Sequence, residues 1–415
     1  MQREKRSLLN NTIMLYIMTF SNYLLSFIIV PYQTRVLGPE FYGLIGLATA
    51  IMVYFQLFVD FGFLLSATEE VAFNREDNGK LCKIFTSITL NKLLLSLISA
   101  VILFTVCAFI PRWRDNFLLL FLYFLSTVAT SLLPDYLYRG MEKMTGITVR
   151  TVCIRALFVC LVFIFVKEPS DYILVPILFL IGNVLALLVS YIHLFYKYKI
   201  HFTLCNAKDV FSRMKASAMF FISRIASTMY TVANTIVLDF ISLGAMTAYY
   251  SSADKLVSTA KSGLTPVSDS LYPYMVKNKD FKLVKKILLL LEPVIFLGCL
   301  ILFIWAEPIC TWFFGAEYAF TATPLRTLLP IVVIILPSYI FGFPVLSAMG
   351  LSKYANYSVI FGSCLHVINL GVLFAFNMVN MFTLGIATSI AEFSILLFRI
   401  IVVVKNRKLL KGNNG

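Results

Sequence analysis

Long apolar runs, each of about 20 residues, follow one another along this chain of 415 residues with short polar breaks between them. A bilayer core takes about 20 apolar residues per helix, so each run predicts one membrane-spanning helix. The predicted spans, about twelve of them, cover residues 8–31, 40–64, 82–110, 116–137, 146–166, 171–195, 212–241, 245–271, 284–305, 322–349, 354–376 and 380–404. The pattern therefore predicts an all-α polytopic membrane protein.

The eighth run differs from the others because polar residues recur along it at steps that alternate between four and three. This spacing marks one face of a helix. The face, called the polar stripe below, holds Thr247, Ser251, Asp254, Ser258, Lys261, Thr265 and Ser268. A second thread carries Lys255, Ser262 and Asp269 at steps of seven. In a chain that is 60% hydrophobic with a mean hydropathy of +0.86, such a face is not expected to point at lipid. We interpret it as lining a path through the membrane.

Three other spans carry related polar faces. Their members are Thr12, Tyr16, Thr19, Tyr23 and Ser26 in the first span, Thr49, Gln56 and Asp60 in the second, and Ser217, Arg224, Thr228, Thr231 and Thr235 in the seventh. Together with the eighth span, these helices are predicted to form the walls of a cavity.

The chain also repeats itself at about half its length. Leu37-Gly38 opens the second span, and Leu243-Gly244 opens the eighth. A weaker echo relates Gly140, after the fourth span, to Gly350, after the tenth. An even number of spans per half makes such repeats parallel. We therefore predict two six-helix lobes around a central cavity. The predicted divisions are an N-terminal lobe 1–196, a linker 197–211, a C-terminal lobe 212–404 and a basic tail 405–415.

The formal net charge of +14 is explained by the loops. With a cytoplasmic N-terminus, 24 basic residues fall inside and 4 outside. Cytoplasmic loops accumulate Lys and Arg, so this asymmetry predicts that both termini are cytoplasmic and removes the need for a nucleic-acid partner. The eight cysteines form no Cys-x-x-Cys pair and the three histidines share no ligand spacing, which argues against a metal site.

The remaining seven basic residues fall within predicted spans. They are Lys92, Arg155, Arg224, Lys255, Lys261, Arg326 and Arg399. A charge at the bilayer centre costs at least about 2.5–3.5 kcal/mol, so these side chains are expected to face water or partners. Arg399 is close enough to a helix end to reach the interface. Acidic residues offset them in part: Asp60, Asp254, Asp269, Glu292 and Glu392. A cationic cavity in an apolar body suits an anion with a lipid tail, since Arg and Lys are natural phosphate ligands.

A purely structural interpretation stays open for individual charges. Asp254 and Lys261 lie seven residues apart on one face and could approach each other through Ser258, which would hold helices in register. Asp239, near the outer end of the seventh span, could pair with Arg35.

Several segments of the chain are similar to those of the polysaccharide-export flippases, the Wzx-type O-antigen and capsule repeat-unit transporters of the MOP superfamily. The resemblance is carried by Pro31-Tyr32-Gln33-Thr34-Arg35-Val36-Leu37-Gly38-Pro39-Glu40-Phe41-Tyr42-Gly43, by Asp60-Phe61-Gly62-Phe63, by Pro134 to Met144, by Tyr249 to Lys255 and by Leu271-Tyr272-Pro273. Tyr136 and Arg139 depart from the usual Trp-Leu-Tyr-Gln-Gly motif after the fourth span.

This resemblance implies a bacterial inner-membrane translocase. It would move an undecaprenyl-diphosphate-linked oligosaccharide from the cytoplasmic to the periplasmic leaflet by alternating access. The residues assigned to substrate binding are Arg224, Lys255, Lys261, Arg35, Lys92, Arg155 and Arg326, and those assigned to coupling are Asp60, Asp254 and Asp269. No cofactor is expected, and a proton gradient, a sodium gradient or the membrane potential would supply the energy. The expected partners are the lipid-linked oligosaccharide, the bilayer, a polysaccharide polymerase and a chain-length regulator.

Two other functions are alternatives to the translocase. A drug or cation antiporter of the same superfamily should prefer an acidic cavity, which the basic residues of spans seven and eight oppose. A membrane-embedded polysaccharide polymerase usually carries a large outside loop with catalytic residues. The longest outside loop here, from Glu307 to Thr321, has about 15 largely apolar residues. It contains no nucleophile–base pair, so the chain is predicted not to be an enzyme.

Overall fold

The computed structural model describes the backbone of residues 2–241 and 244–407 with most of their side chains. The side chains outside this description are those of residues 2–12, 15, 223, 226, 227, 229–232, 273 and 276–278. Two members of the predicted polar faces, Thr12 and Thr231, and residues 408–415 of the predicted basic tail therefore lie outside the described residues.

The described part of the chain is helical and contains no strand. Its α-helices are α1 (Gln2–Asp60), α2 (Phe63–Phe73), α3 (Asn78–Phe109), α4 (Pro111–Asp115), α5 (Phe117–Ser131), α6 (Asp135–Gly140), α7 (Met144–Phe165), α8 (Leu174–His193), α9 (Ala207–Ile241), α10 (Ala245–Asn278), α11 (Phe281–Ile304), α12 (Ala306–Phe314), α13 (Ala322–Ile340), α14 (Leu346–Ala348), α15 (Ser352–Ala375) and α16 (Met381–Lys405). Short 3-10 segments cover Pro169–Ile173 and Ala316–Thr321, and π-helical turns cover Leu194–Tyr198 and Phe341–Val345. Each predicted span coincides with one of these helices or with two consecutive ones.

Nine helical stretches of the described chain are long and apolar enough to cross a bilayer. They are Tyr16–Phe73, Asn78–Phe109, Phe117–Gly140, Met144–Phe165, Pro169–Tyr198, Phe281–Ile304, Ala316–Ala348, Ser352–Ala375 and Met381–Lys405. The first of them is 58 residues long, far more than one crossing needs, and it contains the two predicted spans 8–31 and 40–64. The protein is thus an all-α polytopic membrane protein, as the sequence predicts.

Two glycines at the predicted repeat positions both have positive φ. Gly38, inside α1, has φ 68° and ψ 174°, and Gly244, just before α10, has φ 52° and ψ −77°. Such backbone conformations are cheap only for glycine. The break at Gly38 is reinforced by Pro39, which pushes the preceding residue out of the helical region. The two glycines share the sign of φ but differ in ψ, and Leu243 lies outside the described residues, so the repeat of Leu37-Gly38 and Leu243-Gly244 stays a prediction.

The second predicted echo is present with a shifted register. After α6, the N–H of Lys143 donates to the carbonyl of Tyr138 (2.8 Å) and Glu142 is left-handed with φ 57°. After α14, the N–H of Leu351 donates to the carbonyl of Leu346 (2.7 Å) and Gly350 is left-handed with φ 77°. Both are Schellman turns, so Gly350 is equivalent to Glu142 and not to Gly140.

Two compact units divide the chain. Unit 1 comprises Met1–Phe41 and Ala48–Ile225, and unit 2 comprises Tyr42–Leu47 and Ala226–Gly415. The division falls inside α9, whereas the sequence places the boundary between the lobes at residues 197–211. The first part of α9 contacts other helices of unit 1, and Arg213 forms an ion pair with Glu70 of α2 at 2.9 Å. The predicted bounds of the lobes and linker remain predictions.

Each unit has its own apolar core. In unit 1, α5 and α7 pack on α8, α2 packs on α6, and the fully buried rings include Phe63 and Phe85. In unit 2, α13 packs on α10 and α16, and α15 also packs on α16. Its core includes Leu336, Ile340 and Met275.

Arg399 corrects one expectation from the sequence, because it does not extend toward the interface. Its side chain is buried, and the guanidinium joins three helices of unit 2. Nε donates to the Ser358 hydroxyl of α15 at 2.8 Å, and Nη1 donates to the carbonyl and hydroxyl of Ser338 of α13 at 2.6 and 3.0 Å. The planar fork of an arginine can reach these acceptors together, which a single ammonium cannot do.

Replacing Arg399 by lysine is therefore expected to lower the free energy of unfolding by about 1.5–3 kcal/mol, because lysine keeps the charge but loses most of these bonds. Thermal unfolding in detergent would measure the change. The matched control is Arg407→Lys, which alters an exposed residue beyond α16 and should leave the melting temperature unchanged. Equal melting of both variants would show that the number of donors does not matter at Arg399.

Candidate functional site

Two helices are long enough to cross a bilayer and yet are not among the nine apolar stretches of the described chain. They are α9, with 35 residues, and α10, with 34 residues. At 1.5 Å per residue each is about 50 Å long, well beyond the bilayer core. Their sequences contain the polar faces predicted for spans seven and eight. The polarity of α10 is therefore the first feature that requires an explanation.

Part of the polar stripe of α10 is used within unit 2. Thr247 donates to the carboxylate of Asp239 on α9 at 3.5 Å, Lys261 pairs with α16, and Ser268 donates to the carbonyl of Tyr339 on α13 at 3.3 Å. Small and polar side chains commonly join membrane helices in this way. These three residues therefore have partners within unit 2, and the lining of a path by the stripe remains a prediction.

A different set of side chains on α10 stays open. Lys255, Ser258 and Asp269 are exposed, and Ser262 is half-buried. We call these four residues the exposed thread; they include the whole second thread predicted from the sequence. Ionised side chains within a membrane-spanning helix face water or a partner and not lipid, because lipid exposure costs several kcal/mol. The exposed thread is therefore the candidate site of unit 2.

Lys261 adjoins this thread and holds the most enclosed ion pair of its helix. Its Nζ lies 2.6 Å from Oε1 of Glu392 on α16, and the side chains are 19% and 3% exposed. The contact between Lys261 and Asp254 that the sequence left open stays a prediction beside the observed pair with Glu392. Asp254 lies half-buried within the electrostatic reach of Lys255 and Lys261. The arrangement places two ammonium groups and two carboxylates around one segment of α10.

A buried hydrogen-bond network lies beside these charges. The Asn234 side-chain amide donates to the Tyr250 hydroxyl at 2.7 Å and to the Thr388 hydroxyl at 2.6 Å, and its oxygen is 3.0 Å from Nε2 of His366. These residues come from α9, α10, α15 and α16. Buried polar networks of this kind fix helices in register when their members are satisfied. Sequence reasoning missed it, because Asn234 and His366 lie in unremarkable apolar surroundings.

In unit 1, two predicted site residues with different assigned roles pair with each other. Nζ of Lys92 lies 3.3 Å from Oδ1 of Asp60, donates to the carbonyl of Ser131, and stands 5.8 Å above the ring of Tyr136. Lys92 is buried and Asp60 is 19% exposed. Substrate binding by Lys92 and coupling through Asp60 remain predictions, and either would require this pair to open.

Arg155 lines a cavity inside unit 1. The cavity has a volume of about 290 Å³, and its polar lining also includes Asn22, Asn183 and Arg150. Nη2 of Arg155 donates to the hydroxyl of Ser26, a member of the predicted stripe of the first span, at 3.3 Å. Arg155 thus has a hydroxyl partner beside a cavity of mixed lining, and substrate binding by Arg155 remains a prediction.

The remaining predicted site residues lie apart from these groups. Arg326 is in the second turn of α13, where its Nε donates to the carbonyl of Phe303 at 3.0 Å and thereby caps the C-terminal end of α11. Arg35 is exposed, close before the break at Gly38, and Arg224 is half-buried in α9. Substrate binding by these three arginines is not tested by their positions.

Sequence reasoning also assigned some charges to loops that the structure places in contacts. Arg150, expected in a cytoplasmic loop, is buried in α7, where it donates to Asp135 at 2.8 Å and to the Ser190 hydroxyl at 2.7 Å. Arg213, also expected near the inner surface, forms the ion pair with Glu70. Among the described residues, no group of three or more His, Cys, Asp and Glu side chains has an arrangement that could hold a metal ion.

The helices, the apolar spans and the polar helix α10 define a polytopic helical membrane protein. Residues 8–279, well over half of the chain, match a family described as "Polysaccharide biosynthesis protein". The chain belongs to this family, which confirms the resemblance to the polysaccharide-export proteins.

Two relatives have the same name, "Putative O-antigen transporter". One, from Escherichia coli (strain K12), is 26% identical over 418 residues and covers 99% of this chain and 100% of its own length. The other, from Shigella dysenteriae, is 27% identical and covers 89% of this chain and 92% of its own. Neither name describes a catalyst, in agreement with the prediction that the chain is not an enzyme.

Solved structures share the fold. "Lipid II flippase MurJ, inward closed conformation" aligns with a TM-score of 0.70 and 17% identity, over 96% of this chain and 90% of that one. An inward-facing multidrug resistance MATE transporter of the MOP superfamily aligns with a TM-score of 0.71 and 15% identity, over 98% of this chain and 100% of that one. At these identities the likeness shows the fold alone, and the fold is the predicted MOP-like one.

Proposed function

We propose that this protein is a flippase for a lipid-linked oligosaccharide of surface polysaccharide synthesis. Its substrate would be an undecaprenyl-diphosphate-linked repeat unit, moved from the cytoplasmic to the periplasmic leaflet of the bacterial inner membrane. Membership of the polysaccharide biosynthesis family, the O-antigen transporter names of the relatives and the fold shared with a lipid II flippase all support this proposal.

The exposed thread of α10 is the observation on which the proposal rests. An exposed ammonium at Lys255 and hydroxyls at Ser258 and Ser262 lie on one side of a helix long enough to cross the bilayer. An ammonium is a strong partner for a diphosphate, and hydroxyls suit a sugar. Only the polar head group would enter the site. The polyprenyl tail would stay in lipid.

The membrane potential also favours export of an anion. Moving one negative charge outward from an inside-negative cell gains about 2.3 kcal/mol per 100 mV of membrane potential. Under this proposal, Asp60, Asp254 and Asp269 are the candidate coupling residues, and a proton gradient, a sodium gradient or the membrane potential would be the driving force.

Reconstitution of the full chain into liposomes tests the function directly. A fluorescent polyprenyl-diphosphate oligosaccharide is placed in both leaflets, and a membrane-impermeant quencher reports how fast the inner pool reaches the outer leaflet. Protein-dependent exchange supports the flippase. Exchange no faster than in empty liposomes, with protein-dependent uptake of organic cations, would support the antiporter of the same superfamily instead.

In the same assay, Lys255→Ala is expected to lower the initial flipping rate at least about tenfold, because a charge-assisted contact to the diphosphate is lost. The melting temperature should not change, since the side chain is exposed. The matched control is Lys282→Ala, which removes an exposed lysine from the start of α11. Equal rates for Lys255→Ala and the control would exclude Lys255 from the substrate path.

A further inference from the structure

A large cavity in unit 1 is lined by residues that do not include any of α10. Its volume is about 720 Å³, and it is bounded by the turn after α6, by α7 and by the end of α8 with its π-helical turn. The lining combines two exposed lysines, Lys143 and Lys197, with the apolar side chains of Val149, Ile154 and Val189. None of these residues was assigned a function from the sequence.

The polar end of this cavity is rigid. The Tyr138 hydroxyl lies 2.9 Å from Nδ1 of His193, and the two rings stack with 5.7 Å between their centroids. Tyr198 packs edge-on against both rings, at 6.2 and 5.3 Å. Three packed aromatic rings with few rotatable bonds therefore line the same cavity as the two lysines.

The positive charge at the mouth is not cancelled by its neighbours. Glu142 is the one carboxylate among the lining residues, and it pairs with Arg75 at 2.7 Å. Arg150, at the inner wall, is already paired with Asp135. Within the described part of the chain, neither Lys143 nor Lys197 has a hydrogen bond or an ion pair from its ammonium group. The mouth therefore presents two ammonium groups to whatever enters.

The apolar side of the cavity is open to the surroundings of the protein. Val149 and Val189, on α7 and α8, are 54% and 52% exposed. Both helices are among the apolar stretches that can cross a bilayer, so these valines face acyl chains. Lys143 and Lys197 lie on the side that the Lys and Arg distribution predicts to be cytoplasmic. Basic pockets between helices on that side are suited to anionic lipid head groups.

We propose that this cavity binds a phosphate group carried on an apolar tail, namely an anionic phospholipid of the cytoplasmic leaflet. Lys143 and Lys197 bind the phosphate, and an acyl chain lies along Val149 and Val189. The site is independent of the exposed thread of α10. It would fix unit 1 to a leaflet that contains anionic lipid.

The test measures binding to the purified full chain in a neutral detergent. The probes are a short-chain phosphatidylglycerol, the matched short-chain phosphatidylcholine and inorganic phosphate. Phosphatidylglycerol should bind more tightly than phosphatidylcholine, and Lys143→Ala/Lys197→Ala should weaken its binding about 30-fold. The control Lys285→Ala/Lys286→Ala removes two exposed lysines of α11 and should leave binding unchanged.

A second variant separates lipid from free phosphate. Val189→Trp fills the apolar side of the cavity, so it should weaken phosphatidylglycerol binding and leave the lysines intact. The proposal is overturned if phosphatidylcholine binds equally well, if the double lysine variant keeps the original affinity, or if inorganic phosphate competes as strongly as the lipid and Val189→Trp changes nothing. The last outcome would assign the site to free phosphate.

Discussion

Replacing Lys261 by methionine is expected to lower the free energy of unfolding by about 3–5 kcal/mol. The substitution leaves the carboxylate of Glu392, whose side chain is 3% exposed, buried without the ammonium that lies 2.6 Å away. Methionine has a similar length and stays apolar, so the loss of charge dominates over any change of packing. Thermal unfolding in detergent, together with the amount of protein recovered from membranes, measures the effect.

The double variant Lys261→Met/Glu392→Leu separates stability from transport. Replacing both members of a buried ion pair with apolar residues is often neutral or stabilising, so the double variant should melt near the original temperature. If the pair also serves the flipping cycle, the double variant stays inactive in the liposome assay although it is folded. Recovery of both melting temperature and transport would make the pair purely structural. If Lys261→Met melts at the same temperature as the original protein, Lys261 and Glu392 do not form a stabilising buried ion pair.

Gly43→Val is expected to prevent unit 2 from packing, with a loss of at least about 3 kcal/mol and little protein in the membrane. A Cβ atom at Gly43 would lie 2.1 Å from the carbonyl oxygen of Gly244 and 2.9 Å from its carbon. Both are backbone atoms at the start of α10, so no side-chain rotation relieves the overlap. Protein accumulation, followed by thermal unfolding of any recovered material, measures the result.

The control for this experiment is another helical glycine. A Cβ atom at Gly298, in α11, would meet no atom within 4 Å. Gly298→Ala should therefore raise stability by about 0.5–1 kcal/mol, because alanine loses less backbone entropy in a helix. If Gly43→Val accumulates as well as Gly298→Ala, the close contact between Gly43 and Gly244 does not exist in the membrane.

The helices of this fold could be predicted from the sequence because the thickness of the bilayer fixes the length of an apolar spanning segment. Runs of about 20 apolar residues predicted helices that agree within a few residues with those of the described chain, although α9 and α10 are not among its nine apolar stretches. The break at Gly38 was indicated by the Gly-Pro pair, whereas the paired glycines Gly140 and Gly350 indicated a repeat whose register is shifted by two residues. The sequence could not indicate that α9 is shared between two compact units, because that depends on side-chain partners such as Glu70 and Arg213, which lie 143 residues apart.

The candidate site was predicted less completely, and for a physical reason. Periodicity shows which residues share a face of a helix but not what that face contacts. The polar stripe was therefore interpreted as one surface, whereas Thr247, Lys261 and Ser268 bond to neighbouring helices and Lys255 stays open. The pairing of Lys92 with Asp60 was missed because both were considered singly. The sequence locates the intramembrane charges, but their partners can be read only from the fold, and their roles remain predictions.

The side chains of α10 fall into two groups, those bonded to neighbouring helices and those of the exposed thread, and this has an evolutionary consequence. Side chains that bond to α13 and α16 cannot change singly without loss of folding, whereas those of the exposed thread carry no such constraint. Under the proposed function, diversification toward new glycan structures should therefore concentrate at the hydroxyls Ser258 and Ser262, whereas Lys255 would be kept by its contact with the diphosphate. Chimeras that exchange only these two positions between homologues are expected to change the preferred repeat unit in the liposome assay while the melting temperature stays the same.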